Sequence, residues 1–465
     1  IVKKIKRKRK RIKRTFSIIK KSNLDFFNKI FRILSWLLPG LVLKRWIVTS
    51  AIGLITSLLG IAIWTNLRPL YWLIETFFWL MTGLTSIFPV SILGPFILFI
   101  GLLLICLGQN RSINSIQKAL VPQKETLLVD ALRVNSKLSR GPNIVAIGGG
   151  TGLSTLLKGL KNYSSNISAI VTVTDDGGSS GILRKQLGVQ PPGDIRNCLA
   201  ALSNEEPTLT RLFQYRFSGG GGLEGHSFGN LFLSALTTIT GSLEKAVQAS
   251  SQVLSVQGQV IPATGTDVML WAELEDGEKI FGESLIGKSV KPISRIGCLP
   301  ENPPALKNAI EAIKEADLIV LGPGSLYTSL LPNLLVPEIV EELLKNNSPK
   351  IYISNLMTQP GETDGLDVYQ HIKSIEKQLF NFGVNTRIFN AILSQGEFEG
   401  SSLIDYYRSR GAEPVICNKK RLVSEGYHVL QAPLYSKRIT PTLRHDYRRL
   451  ARAVMYLYKK IKKAS

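Results

Sequence analysis

Two adjacent carboxylates, Asp175 and Asp176, are the residues of this chain best suited to chemistry. They follow the apolar run 169–174 and precede Gly177 and Gly178. Carboxylates at the end of a strand could hold Mg²⁺ against a phosphate or orient a nucleophilic hydroxyl. The same pattern is also typical of a solvated turn with an Asx cap, because Asp-Gly is a common turn dipeptide. The residues alone leave both interpretations open.

A glycine loop, GGGTG at 148–152, ends another apolar run and opens a helical pattern. Glycines leave backbone N–H groups uncovered at a helix N-terminus, where the helix dipole favours an anion. Leu153 stands where a Walker A loop has its lysine, and this loop would need glycine at Leu153 or Thr155 to fit GxGxxG, so a plain strand-to-helix turn is the alternative. The residues predicted to contact a nucleotide in this loop are Gly149, Gly150, Thr151 and Gly152.

Cationic groups in nearby motifs could complete a phosphate site. Arg184 and Arg196 could neutralise a phosphate or pair with Asp194, the predicted N-cap of the helix that follows PPG. His226 could act as a general acid or a phosphate ligand, or it could cap the helix that begins at Leu231.

A second strand-and-glycine pattern, GPGSLYTS, lies at 322–329. Its Gly322, Gly324 and Ser325 are predicted contacts to a phosphate or sugar. Asn230 is a further candidate for the nucleotide site, although it could instead serve the helix that it opens.

The elements that must position these residues alternate between strands and helices. The predicted strands are 144–147, 169–174, 318–321 and 351–354, and the predicted helices are 153–160, 231–238, 304–314 and 337–344. Such alternation predicts an α/β fold with a mostly parallel sheet and helices on both faces. Ligands of these folds bind outside the carboxyl ends of the strands, where all the motifs above are predicted to lie.

The net charge of +23 is concentrated at the two ends of the chain. Residues 1–45 hold 16 Lys and Arg against Asp25, and residues 436–465 hold ten against Asp446, so residues 46–435 carry a net charge of −1. Nucleic-acid binding needs a basic groove rather than two basic tails, so no nucleic-acid partner is expected. The basic leader instead favours anionic membrane lipid as a partner.

Two uncharged runs, 46–64 and 90–107, reach the length of a membrane span. We considered a signal peptide, a buried hairpin and a third span at 70–88 as alternatives, and we favour two spans. This predicts a multi-pass protein of the cytoplasmic membrane whose C-terminal domain lies in the cytosol. The predicted organisation is a basic segment at 1–45, a membrane region at 46–107 with a transmembrane hairpin, a linker at 108–141 and a nucleotide-binding domain at 142–465.

Cysteine and histidine usage limits the cofactors. The four cysteines are far apart and the four histidines form no HExxH motif, so a structural zinc site is not expected. No flavin or haem is expected either. The C-terminal pattern at 442–461 is apolar every three to four residues with a basic opposite face, which is typical of a helix packed on the domain or of one lying on a membrane.

Seven motifs in this order make the chain resemble the bacterial gluconeogenesis factor family, which is related to 2-phospho-L-lactate transferase. They are GGGTG, TVTDDGGSSG, PPGDIRN, GHSFGN, GPGSLYTS, YISNLMTQPGETDG and RHD. The resemblance covers about 142–463 and leaves residues 1–141 outside it.

The resemblance implies a Rossmann-like domain with a nucleotide or nucleotide-sugar across the strand ends. In the transferase branch, a lactyl phosphate passes with Mg²⁺ from a guanosine nucleotide to a deazaflavin hydroxyl. Carried onto this chain, the glycine loop lies at the phosphates, and Asp175 and Asp176 serve the metal or the acceptor. The gluconeogenesis-factor branch implies instead a UDP-sugar-binding regulator of cell shape, envelope synthesis and carbon use. A homodimer is compatible with either branch.

Overall fold

The computed structural model describes residues 42–65, 68–120, 135–204, 207–220, 222–289, 291–398, 402–436 and 442–464. Most of the predicted basic segment and residues 121–134 of the predicted linker lie outside these ranges. The chain divides into two compact units, Ile1–Ser136 and Lys137–Ser465.

Three helices make up the described part of the N-terminal unit. They are α1 (Val42–Trp64), α2 (Arg68–Ile87) and α3 (Val90–Leu120). Many of their large apolar side chains are exposed, among them Leu54, Phe78 and Leu98.

The membrane prediction is corrected at this point. Among the residues that the structure describes, no helix offers the length of apolar sequence that a bilayer crossing requires. This finding does not support the predicted spans 46–64 and 90–107, the transmembrane hairpin or the multi-pass location. The prediction rested on runs of uncharged residues, whereas the helices themselves extend beyond those runs into Lys44 and Arg45 in α1 and Arg111 in α3.

A seven-stranded sheet forms the centre of the C-terminal unit, and every pairing in it is parallel. Its strands are β1 (Ile144–Gly148), β2 (Ile167–Val171), β3 (Gln259–Pro262), β7 (Leu318–Leu321), β8 (Lys350–Ile353), β9 (Ala391–Gln395) and β10 (His428–Ala432). Their order is β10-β9-β8-β7-β1-β2-β3. The central strands are buried along their whole length and, apart from Lys350 at the start of β8, consist mainly of apolar residues, as expected for strands covered on both faces. The predicted Rossmann-like α/β fold with helices on both faces is confirmed.

Helices connect these strands and cover the sheet. They are α4 (Gly150–Leu160), α5 (Gly178–Leu187), α6 (Gly193–Leu202), α7 (Pro207–Gln214), α8 (Phe228–Thr240), α9 (Leu243–Val253), α10 (Glu283–Ile286), α11 (Lys307–Lys314), α12 (Pro337–Lys345), α13 (Val368–Phe380), α14 (Ser402–Arg408), α15 (Lys419–Ser424) and α16 (Tyr447–Ala464). A π-helical turn, Leu326–Leu330, and a 3₁₀ turn, Leu331–Leu335, follow β7.

The sequence analysis did not predict a second, antiparallel sheet. It consists of β4 (Met269–Leu274), β5 (Lys279–Phe281) and β6 (Ile293–Leu299), in the order β5-β4-β6. It is inserted between β3 and α11, and the short helix α10 joins two of its strands.

The C-terminal helix α16 packs on the domain. It buries Leu450, Val454, Leu457 and Ile461 on one face. A Cβ atom on Gly159 of α4 would collide with the carbonyl oxygen of Tyr447, so the two helices approach closely. Of the two predicted roles for this helix, the structure shows the packed one.

Candidate functional site

Four motif loops meet at the carboxyl end of the parallel sheet. They follow β1, β2, β7 and β8, which are consecutive neighbours in the sheet. Because the carboxyl ends of parallel strands lie at the same edge of the sheet, the loops that carry the residues predicted to bind a nucleotide meet there. Direct contacts join the loops: Gln359, after β8, donates to Ser325 Oγ, after β7, at 2.7 Å.

The glycine loop after β1 is fitted to its protein neighbours. Gly149 is the N-cap of α4, and a Cβ on it would lie 2.6 Å from Asp194 Oδ2. A Cβ on Gly152 would collide with the carbonyl oxygen of Pro323. Gly150 has a φ of +65°, a left-handed conformation that favours glycine. These glycines therefore allow close packing of the loop, whether or not a ligand is bound.

The N-terminus of α4 still offers free donors. The first N–H groups of a helix have no partner inside the helix. The Gly150 N–H donates to Asp194 Oδ2 at 2.7 Å. No group in the described part of the chain accepts from the N–H groups of Thr151 or Gly152, and Thr151 is exposed. The helix dipole and two available donors make this a suitable position for an anion.

The two adjacent aspartates point to different partners. Asp175 Oδ1 accepts from the Gly177 N–H at 3.0 Å, which is the Asx turn considered above. Asp176 Oδ1 accepts from the Ser284 N–H at the start of α10 at 2.7 Å. The two carboxylates are therefore engaged with different segments of the chain.

Asp194 lies closer to Asp175 than the sequence indicated. It was predicted as a helix N-cap, but the cap of α6 is Pro192, and the Asp194 carboxylate bonds to the α4 loop instead. A Cβ on Gly193 would lie 2.5 Å from Asp175 Oδ2, so the Asp175 carboxylate is directed toward this segment. Burial raises the pKa of Asp194 to about 6, the Gly150 N–H opposes the shift, and Asp175 adds to it.

Two further carboxylates were not predicted: Glu283 lies near these aspartates, and Glu362 lies near Glu283. Burial, together with Asp175, Asp194 and the other carboxylates, raises the pKa of Glu283 well above its usual value. Burial also raises the pKa of Glu362, whose Oε1 accepts from Thr328 at 3.1 Å while its Oε2 has no partner among the described residues. Glu362 belongs to the TQPGETDG motif, which could have indicated it, whereas Glu283 lies in no motif.

The two predicted phosphate-binding arginines are engaged with protein groups. Arg184 Nη2 is 2.9 Å from Asp267 Oδ1 and donates to the carbonyl of Val268. Arg196 donates to Ser227 Oγ and, at 2.9 Å, to Asn197 Oδ1, while its buried Nε has no partner among the described residues. Arg196 also interacts with the charges of Asp194 and Asp175.

His226 and Asn230 belong to one buried hydrogen-bond network. Ser179 Oγ is 3.1 Å from His226 Nδ1, and Asn230 Nδ2 donates to the same hydroxyl at 3.1 Å. The cap of α8 is Ser227, whose hydroxyl accepts from the Asn230 N–H. The network connects the TDDGGSSG and GHSFGN motifs, and Ser179 is a member that the sequence analysis did not name.

Asn333, which was also not predicted, connects the glycine loop after β1 to the loop after β7. Its buried amide donates to the carbonyl of Gly148 at 3.2 Å and to the carbonyl of Ser329 at 2.8 Å. It therefore holds the glycine loop against the segment that carries Gly322, Gly324 and Ser325.

A magnesium ion would need the ligand's own oxygens here. Among the described residues, no group of three or more His, Cys, Asp or Glu side chains is arranged to hold a metal. Mg²⁺ in phosphate sites commonly uses one or two carboxylates plus phosphate oxygens. Asp175, with Asp194 beside it, fits that more limited role.

Comparison with known proteins identifies the domain. Residues 144–435 match the family model of 2-phospho-L-lactate transferase CofD. A Nostoc protein that carries the gluconeogenesis factor name is 50% identical over 423 residues, covering 91% of this chain and 92% of the relative. The gluconeogenesis factor of Bacillus subtilis is 45% identical over 322 residues, covering 69% of this chain and 100% of the relative.

A solved structure agrees with this match. The crystal structure of a UPF0052 family protein from Bacillus halodurans superposes with a TM-score of 0.64 at 44% identity, covering 68% of this chain and 99% of that one. The Nostoc match cannot fit within the C-terminal unit alone, so the similarity also extends into the N-terminal unit, which the motifs had left outside. The chain belongs to the gluconeogenesis factor family and carries a CofD domain.

Proposed function

We propose that the protein is a regulator that binds a nucleotide-sugar, specifically a UDP-sugar, and acts on envelope synthesis, cell shape and carbon use. The observation that carries the proposal is the pair of available N–H groups, of Thr151 and Gly152, at the N-terminus of α4. A diphosphate placed there gains backbone hydrogen bonds and the favourable end of the helix dipole.

The charges around this position favour binding through backbone groups. Arg184 is paired with Asp267, and the nearby side chains are mainly carboxylates. A diphosphate beside Asp175 and Asp194 therefore needs either a bridging Mg²⁺ or protonated carboxylates to avoid like-charge repulsion. The proposal includes Mg²⁺, which Asp175 would help to hold and which would neutralise the charge of the phosphates.

Thermal melting of the full-length chain tests the proposal. UDP-N-acetylglucosamine with Mg²⁺ should raise the melting temperature, because a ligand concentration of 100 times Kd stabilises the folded state by about 2.7 kcal/mol. Since a regulator does not turn the ligand over, the UDP-sugar should be recovered unchanged. GDP should produce a smaller shift. The absence of any shift with the UDP-sugar would overturn the proposal.

The CofD family match favours a second candidate, a Mg²⁺-dependent transferase that moves a lactyl phosphate from a guanosine nucleotide to a deazaflavin-like hydroxyl. Such a transfer depends on positioning and charge neutralisation rather than on a covalent nucleophile. The double variant Asp175→Asn, Asp176→Asn should abolish transfer. The exposed pair Asp276→Asn, Asp405→Asn is the matched control and should leave it unchanged. Equal transfer rates in the double variant and in the control would show that Asp175 and Asp176 take no part in the reaction.

A further inference from the structure

The C-terminal helix α16 exposes a face with a single sign of charge. The helix contains seven Lys or Arg residues and no acidic residue, and it packs on the domain through Leu450, Val454 and Leu457. At about 3.6 residues per turn, the positions opposite this buried face fall within one arc of about 120°. The exposed and half-exposed residues of that arc, here called the basic stripe, are Arg448, Arg449, Arg452, Tyr456, Lys459, Lys460 and Lys463.

The basic stripe is long, and most of its charge is uncompensated. Arg448 and Lys463 stand at its two ends, which are about 22 Å apart at 1.5 Å of rise per residue. The side chains of Arg452, Lys459, Lys460 and Lys463 make no hydrogen bond, ion pair or ring contact with any described residue. Like charges four residues apart, such as Lys459 and Lys463, destabilise a helix. An anionic surface against the stripe would relieve this repulsion.

Helix α4 adds a cation at one end of the stripe. The Nζ of the exposed Lys158 is 5.0 Å from the centroid of the Tyr447 ring. The guanidinium carbon of Arg448 is 5.4 Å from the same centroid. Because α4 and α16 approach closely at Gly159, their packing fixes the position of this cation beside the stripe.

Anionic lipid headgroups fit this surface better than a nucleic acid does. The stripe is the outer, convex side of a packed helix, and mobile headgroups can adjust to any spacing of its cations. A nucleic acid instead follows a continuous basic path, whereas residues 46–435 carry a net charge of −1.

The one uncharged side chain of the stripe also suits a membrane surface. Tyr456 is 58% exposed and lies midway along the stripe. Tyrosine is favoured at the level of lipid headgroups, because its ring is apolar and its hydroxyl is polar.

We propose that the basic stripe of α16 binds the anionic headgroups of a membrane surface, with Tyr456 at the level of the headgroups. The attraction of each Lys or Arg to the negative surface falls off within a Debye length, so binding weakens as salt rises. The contact is peripheral and involves no helix that crosses the bilayer. The stripe lies outside the motif loops, so this proposal does not rest on the proposed function.

Lysine acetylation of the full-length chain, followed by mass spectrometry, tests the contact residue by residue. Vesicles of equal parts phosphatidylserine and phosphatidylcholine should slow acetylation of Lys459, Lys460 and Lys463 at least fivefold. Acetylation of the exposed Lys245 and Lys307 should change by less than twofold. Vesicles of phosphatidylcholine alone should protect none of the five lysines. Binding through residues 1–45 alone would leave the stripe lysines unprotected and would overturn the proposal.

Co-sedimentation with the same anionic vesicles tests the charges of the stripe. The stripe variant is Arg452→Gln, Lys459→Gln, Lys460→Gln, Lys463→Gln. It should bind at least tenfold more weakly than the unmodified chain. The control variant removes four exposed lysines elsewhere on the surface and should bind within twofold of the unmodified chain. Its substitutions are Lys245→Gln, Lys288→Gln, Lys307→Gln and Lys377→Gln. Melting curves of both variants establish that each is folded.

Three outcomes would overturn the proposal. The first is an unchanged acetylation rate at the stripe lysines with anionic vesicles, and the second is equal vesicle binding by the stripe and control variants. The third is stronger protection of the same lysines by a DNA duplex or by polyglutamate, at an equal concentration of anionic groups, because the stripe would then belong to a different class of partner.

Discussion

The buried carboxylate of Asp194 should make the protein less stable at neutral pH than it would be without that charge. Its pKa in the folded state is about 6, against 3.8 for the unperturbed group. At a pH between these two pKa values, Asp194 is still protonated in the folded state but already ionised in the unfolded state. The contribution of this group to the unfolding free energy therefore falls as the pH rises from about 4 to about 6. At about 1.4 kcal/mol per pKa unit, the cost at pH 7.5 is on the order of 3 kcal/mol.

Asp194→Asn removes this charge and keeps an oxygen that can accept from the Gly150 N–H. We expect the variant to gain up to about 3 kcal/mol of unfolding free energy at pH 7.5 and almost nothing at pH 4. Urea unfolding at both pH values, followed by the fluorescence of the C-terminal unit, measures the difference through the midpoint at constant slope.

The exposed Asp405→Asn is the control and should change the unfolding free energy by less than about 0.5 kcal/mol at either pH. A loss of stability in Asp194→Asn at pH 7.5, or a gain of equal size at both pH values, would refute the reasoning. A stabilising substitution at this position would indicate that the chain retains the ionised carboxylate for its function.

Three further predictions concern packing and burial. Gly152→Ala should lower the stability measured by thermal melting by about 1–3 kcal/mol, because the added Cβ meets the Pro323 carbonyl. Gly219→Ala is the control: its Cβ meets no atom within 4 Å, so it should cost under about 0.5 kcal/mol, and equal costs for the two variants would contradict the prediction. Asn333→Ala should cost about 1–3 kcal/mol in urea unfolding, because the carbonyls of Gly148 and Ser329 lose their donor, and a neutral effect would argue against its structural role. Burial lowers the pKa of His445 to about 4, below its unfolded value of about 6.5, so the unfolding free energy should fall by about 3 kcal/mol as the pH drops from about 6.5 to about 4. His445→Leu should reduce this pH dependence in urea unfolding, and an unchanged pH dependence would contradict the prediction.

The sequence predicted the central sheet well because its signals are local. The apolar runs of β1, β2, β7 and β8 are each followed by glycine loops, and the strands form within three residues of the predicted bounds. The strands β3, β9 and β10 escaped prediction, because four or five residues of mixed polarity, ending at Pro262 in one case, carry little pattern. The antiparallel insertion was missed for the same reason.

The site was predicted at the level of loops but not of side-chain partners. Gly150 and Asp194 are 44 residues apart, and Asp176 and Ser284 are 108 apart, so no spacing in the chain reveals either hydrogen bond. Glu283 lies in the inserted region and has no local signal, so only the folded structure places it beside the aspartates.

The contact between Gly152 and the Pro323 carbonyl has a mechanical consequence. The loops after β1 and β7 touch through their backbones, and Asn333 donates hydrogen bonds to both. They must therefore move together. By contrast, a Cβ on Gly219, Gly220 or Gly222 would meet no atom within 4 Å, so no such contact holds these positions. Labels on the two joined loops should therefore report one common displacement, whereas a label at Gly219 should move independently of them.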